Sequence, residues 1–125
     1  MGIKLIKISV VYLVISTLLA MYMSITENMT LDSVHSHISC LGWTMLALAG
    51  FAYHLFPALE KRVLSEIVFW LFNIGLPVSI VGLSALLYDQ SVLTKIVLSV
   101  GTTVLSIGII LFAINVLVAM KSGDT

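Results

Sequence analysis

The sequence predicts an all-α fold: a polytopic membrane protein with four transmembrane helices, packed as an antiparallel bundle with both termini cytoplasmic. Two observations predict it. Of the 125 residues, 60% are hydrophobic and only 10% are charged, whereas a soluble domain carries about 25% charged residues. Stretches with few or no charges, each about 20 residues or more, are long enough to cross a hydrocarbon core of roughly 30 Å. Because lipid offers no partners for backbone amides, each stretch is expected to be helical.

Four such stretches follow one another with short connections. They cover residues 8–25, 33–58, 63–87 and 92–120. Turn signals separate them: Asp32 precedes the second stretch, Pro57 comes at its end, and Asp89 follows the third. Short connections make consecutive helices antiparallel neighbours, so residues 1–125 form a single transmembrane domain.

The basic residues predict the orientation. Lys95 lies on one side of the predicted bundle, and the other five lie on the opposite side: Lys4, Lys7, Lys61, Arg62 and Lys121. Cytoplasmic loops carry the excess of lysine and arginine. We therefore expect an integral protein of a bacterial inner (plasma) membrane, with the second helix beginning at the outer face.

Charge and cysteine content exclude several classes. The formal net charge is zero, which gives no electrostatic reason to expect nucleic acid as a partner. A single cysteine, Cys40, allows no internal disulfide, no Cys-x-x-Cys metal site and no covalent haem attachment.

All three histidines, His35, His37 and His54, lie on the second predicted helix. Ionisable groups within a membrane span are candidate functional residues. At about 100° per residue, His35 and His37 point roughly 200° apart, so they cannot chelate one ion together. Each histidine could instead be an axial ligand of a separate group, one on either side of the helix. Haem is such a group, because its iron takes a single histidine from each side of the flat ring. His54, beside Pro57, is expected to be an interfacial side chain.

Two glycines lie on the strip of the same helix below His35. By the same angular count, Gly42 falls near 340° and Gly50 near 60° when His35 is at about 0°. Residues without side chains would let a flat macrocycle approach, which makes both glycines candidate cofactor-binding residues. They would equally serve as a small-residue groove for helix packing, and the residues alone leave both interpretations open.

The string from His35 to Pro57 resembles the tenth helix of haem-copper oxidase subunit I. That helix has His-x-His, a glycine thirteen residues after the second histidine, and then His-x-Phe-Pro. Here the matching positions are His35, His37, Gly50, His54, Phe56 and Pro57. The next span, with Asn73, Gly75 and Pro77, is more loosely similar to the family's eleventh helix. The chain would then be a minimal four-helix relative.

The resemblance implies two haem ligands. In that family the first histidine of the pair holds the high-spin haem and the second holds the low-spin haem, which would make His35 and His37 ligands of haem b and leave His54 without iron. The chain departs from the family by having four predicted helices rather than about twelve, and no histidines for a copper centre on its other helices. Full oxygen-reducing haem-copper oxidase activity is therefore not expected. If the chain has a redox activity, it would be electron transfer through haem.

A single chain offers no second histidine on a different helix, so a six-coordinate haem needs a homo-oligomer. In a trimer, His35 of one chain and His37 of the next could share a haem; in a dimer, His37 could pair with its own copy. The redox partner is unknown.

We expect a b-type cytochrome that passes electrons through bis-histidine haem. One alternative is a gas-binding haem protein, for oxygen or nitric oxide, with His35 as the sole ligand. Another is a copper-binding or assembly protein, in which three copies of one histidine converge on a symmetry axis and hold copper. Methionines near the outer end could help there as soft ligands: Met21, Met23, Met29 and Met45. A third is a structural subunit of a larger complex.

Overall fold

The computed structural model describes residues 1–121, and residues 122–125 lie outside the described part. The chain folds into α1 (Gly2–Thr26), α2 (Asp32–Leu55), α3 (Pro57–Glu60), α4 (Val63–Tyr88) and α5 (Val92–Lys121). Four of these helices, α1, α2, α4 and α5, are long and apolar enough to cross a membrane. The all-α class and the four predicted spans are thereby confirmed.

Two helix boundaries differ from the prediction by more than one residue. Helix α1 begins at Gly2 rather than at residue 8, because Lys4 and Lys7 are exposed on its first turns and the helix continues through them. Helix α2 ends at Leu55 rather than at residue 58. Phe56 has φ −121° and ψ 83°, the extended conformation favoured before proline, and Pro57 then opens α3 at the position where its missing N–H costs nothing.

Helix α2 changes its winding along its length. It is α-helical over Asp32–His37, π-helical over Ile38–Met45 and α-helical again over Leu46–Leu55. A π-helix places more residues in each turn, because its hydrogen bonds run from i to i+5. The constant angular step assumed from the sequence therefore does not hold between His37 and Leu46.

Helices α4 and α5 pack closely along a line of glycines. Gly75 of α4 lies against Leu105 of α5, and Gly82 lies against Leu98. As the residue number rises along α4 it falls along α5. Small residues at such positions let two backbones approach, which is the usual basis of helix association in lipid.

Helices α1 and α2 form a second close pair. Gly42 of α2 packs on the Tyr12 ring of α1, and Gly50 packs on Ile6 and on the carbonyl oxygen of Gly2. The register again runs in opposite senses along the two helices. The main hydrophobic core joins both pairs, and its largest fully buried members include Tyr53 of α2 and Phe72 of α4.

Candidate ligand site at the histidine pair

His35 and His37 lie in the α-helical first part of α2, immediately before the π-helical segment. Because this part is α-helical, the two imidazoles leave the helix on different sides. Their surroundings differ accordingly: His35 borders an open groove, and His37 has a nitrogen shielded by the protein.

The groove beside His35 has a volume of about 370 Å³. One wall is α1, which contributes a buried methionine, Met23. The α1–α2 connection adds Met29, which is 62% exposed, and the first turn of α2 adds Asp32. The complete lining is Ala20, Met23, Ser24, Met29, Asp32 and His35. We call this feature the His35 groove.

His37 carries a buried nitrogen with unused bonding capacity. Its Nε2 atom is inaccessible to solvent and has no hydrogen-bond partner within residues 1–121. Leaving a buried polar atom unpaired costs roughly 1–3 kcal/mol, and the few such atoms in folded proteins call for an explanation, one of which is a missing ion or ligand.

The π-helical segment Ile38–Met45 begins at the residue after His37. Within it, the Thr44 hydroxyl donates a hydrogen bond to the Ser39 carbonyl at 3.3 Å, five residues back. π-Helical turns are less favourable than α-helical ones and occur frequently at functional sites. This irregularity is therefore a second structural feature that marks the histidine pair.

The two candidate glycines face α1. A methyl group at Gly42 would lie 2.7 Å from Tyr12 Cγ, and one at Gly50 would lie 2.7 Å from Ile6 Cγ1. The strip below His35 is thus filled by α1 in a single chain, as the helix-packing interpretation of these glycines requires. It leaves no space for a macrocycle against Gly42 or Gly50 unless α1 is displaced.

His54 lies near the other end of α2 and is exposed. Its backbone packs on Gly2 of α1: a methyl group added at Gly2 would lie 2.8 Å from the backbone nitrogen of His54. The fold therefore separates His54 from the other two histidines.

The histidine pair offers the kind of donor that the predicted haem requires. Imidazole is an axial ligand for haem iron, and the unpaired Nε2 of His37 has the required chemistry. The groove of about 370 Å³ is lined by His35 and not by His37, so a ring held by His37 would lie outside it. Iron could reach His37 Nε2 only after the side chains that cover it move aside.

Clusters of three or more His, Cys, Asp or Glu side chains able to hold a metal ion do not occur in residues 1–121. Methionine is not one of these four residue types, although its sulfur can also bind a metal ion. The lining of the His35 groove contains two methionine thioethers, one imidazole and one carboxylate. Sequence analysis did not single out Asp32 as a ligand. Its spacing of i, i+3 from His35, which places both on one helix face, is the signal that could have found it.

Comparison with known proteins yields no match of this chain to a family model, to a curated protein or to a solved structure.

Proposed function

We propose that the chain is a b-type haem protein of a membrane, which passes single electrons through an iron held by histidine on both sides. His37 supplies one axial ligand. The observation that carries the proposal is its Nε2 atom, which is buried and without a hydrogen-bond partner among the described residues. The resemblance of the His35–Pro57 string to haem-copper oxidase subunit I supports the same assignment.

The second axial histidine must come from another copy of the chain. All three histidines are on α2, and His35 and His37 diverge from it, so one chain does not place two imidazoles on opposite sides of one ring. A trimer would pair His35 with His37 of the next copy, and a dimer would pair two His37 side chains. The dimer leaves His35 free, which suits a residue that already faces its own groove.

Bis-histidine ligation determines the chemistry. With both axial positions filled, the iron has no open position for oxygen, and the bound haem supplies electron transfer rather than substrate activation. The protein's part is to fix the imidazoles and to exclude water. Val34 and Ile38, which flank the histidine pair in α2, are buried and apolar, and low polarity around the iron influences its potential.

We further propose the membrane arrangement. The bundle is antiparallel, with both termini cytoplasmic and the histidine pair near the outer face of a bacterial inner membrane. Two observations support this: the opposed registers of α1 with α2 and of α4 with α5, and the five basic residues on the predicted inner side against Lys95 on the other.

The haem assignment is tested by visible spectroscopy and haem extraction of the detergent-purified protein. We expect sharp reduced bands that carbon monoxide does not move, and their loss in His37→Ala. His54→Ala is the matched control, because it removes an exposed histidine of the same helix, and its spectrum should be unchanged. His35→Ala separates the oligomers: the trimer loses haem, whereas the dimer keeps it.

Three results would each overturn a different part of the proposal. Colourless protein after expression with ample haem supply would exclude haem binding. A shift of the bands with carbon monoxide would show an open position and favour the gas-binding alternative. Equal effects of His37→Ala and His54→Ala would exclude His37 as the specific ligand.

The orientation is tested by labelling with a membrane-impermeant maleimide in a Cys40→Ser background. Asn28→Cys should be labelled from outside intact cells, because Asn28 is exposed in the connection between α1 and α2, outside both spanning helices. Lys61→Cys, exposed after α3, should be labelled only after the membrane is permeabilised. The reverse pattern would invert the proposed topology.

A further inference from the structure

We propose that the His35 groove is a copper site, with donors from Asp32, His35, Met23 and Met29. These four side chains line the same groove of about 370 Å³. The site goes beyond the proposed haem function. It requires only that His35 is not an iron ligand, which holds in the dimer arrangement and in a chain without haem.

The donors converge from three parts of the chain. Asp32 and His35 are three residues apart in the α-helical start of α2, so their side chains share one face of that helix and can bind one ion together. Met23 lies across the groove on α1, and Met29 lies on the connection between the two helices. An ion in the groove would therefore tie α1 to the beginning of α2.

Burial distinguishes Met23 from an ordinary lipid-facing methionine. Its side chain is only 4% exposed, whereas Met21, two residues earlier on α1, is 54% exposed. Met29 is 62% exposed, so the groove has one buried and one exposed methionine in its lining. An ion can then enter from solvent without an opening of the helix bundle.

The combination of donors favours copper over other biological metals. Thioether and imidazole are ligands of Cu(I), and imidazole and carboxylate also suit Cu(II). Calcium and magnesium take oxygen ligands, and protein zinc sites are built from cysteine, histidine and carboxylate rather than from thioether. The groove can therefore hold copper in both oxidation states, and the Asp32 carboxylate offsets part of the charge of the ion.

The test uses detergent-purified full chain in its haem-free form, with His37→Ala as the background if the protein carries haem. Cu(I) is titrated under reducing conditions against a chromophoric chelator, and Cu(II) is followed by electron paramagnetic resonance. We expect a single copper per chain. His35→Ala and Met23→Leu should each weaken Cu(I) binding about tenfold or more, since even the loss of an outer-shell partner costs that much at metal sites.

Met21→Leu is the matched control, because it makes the same change on the same helix at a residue that does not line the groove. Its copper affinity should equal that of the wild-type chain. Asp32→Asn should weaken Cu(II) more than Cu(I), since the carboxylate is the hard donor. Circular dichroism of each variant confirms that the helices are retained.

Equal affinities of Met21→Leu and Met23→Leu would overturn the copper site, and so would zinc binding as tight as copper binding or a failure to bind copper at all. The outcome is separable from that of the haem proposal. A chain that binds haem but not copper refutes only this inference, whereas a colourless chain that binds copper in the groove refutes only the haem function.

Discussion

The close approach of α4 and α5 predicts that Gly101→Ala destabilises the protein. A methyl group at Gly101 would lie 2.8 Å from both Ser79 Cα and Val78 C, whereas ordinary van der Waals contacts of such carbons lie at 3.4–4 Å. The difference, 3.4 − 2.8, is about 0.6 Å at the least. Because the opposing atoms are backbone, the two helices must separate along their contact, and overpacking of this kind costs about 1–3 kcal/mol.

Gly108→Ala is the matched control for this substitution on α5. Its methyl group would lie 3.0 Å from Leu71 Cβ and from Phe72 Cδ1, which are side-chain atoms that can give way. Both variants gain roughly 1 kcal/mol of helix propensity from alanine, so this contribution cancels between them. We expect Gly101→Ala to be the less stable by about 1–2 kcal/mol, a factor of roughly 5–30 in the unfolding equilibrium.

The measurement is equilibrium unfolding in mixed micelles with increasing dodecyl sulfate, followed by the fluorescence of the two tryptophans. The free energies are compared at one micelle composition. If Gly101→Ala proves as stable as Gly108→Ala, or more stable, the inference that backbone contact limits the α4–α5 distance is wrong.

Substitutions at two further residues, Tyr53 and Asn115, probe the buried polar atoms, and all of them are measured by the same unfolding assay. Tyr53→Phe should change stability by no more than about 1 kcal/mol, because the buried hydroxyl lies beside the Asn115 side chain but forms no hydrogen bond of normal geometry within the described chain. Tyr53→Ala should cost about 3–5 kcal/mol, because the ring also packs edge-on against Phe112 at 5.7 Å. A large loss in Tyr53→Phe would reveal a hydroxyl partner. Asn115→Ala should cost about 0.6–1.7 kcal/mol, the range for side-chain hydrogen bonds between membrane helices, since its amide donates to the Leu59 carbonyl at 3.4 Å across the bundle. The control is Asn73→Ala, whose amide bonds only within its own helix, and equal losses in both variants would remove any special role of the Asn115 contact.

The number and approximate position of the spanning helices followed from the sequence because burial in lipid leaves a simple signature: long runs without charge. The helix boundaries were predicted less accurately where charged residues lie within a helix. Lys4 and Lys7 lie inside α1, since long basic side chains at a helix end can extend away from the apolar region.

The site was only partly predictable. The spacing of His35 and His37 predicts different directions for the two imidazoles in an α-helix, and in the α-helical start of α2 their surroundings differ. The π-helical segment has no comparable sequence signal, since its extra residue per turn depends on packing between whole helices, such as Gly42 on Tyr12. The His35 groove likewise depends on how the α1–α2 connection folds, which brings Met29 beside residues of both helices.

The wide turn after His37 gives α2 a place where its length can change. Deleting one residue within Ile38–Met45 would convert the segment towards ordinary α-helix, while the histidines on one side and Gly50 on the other keep their neighbours. The same deletion within Leu46–Leu55 would turn the residues beyond it by about 100° and carry them off α1. Tolerance to single-residue deletions along α2 should therefore be confined to this one stretch.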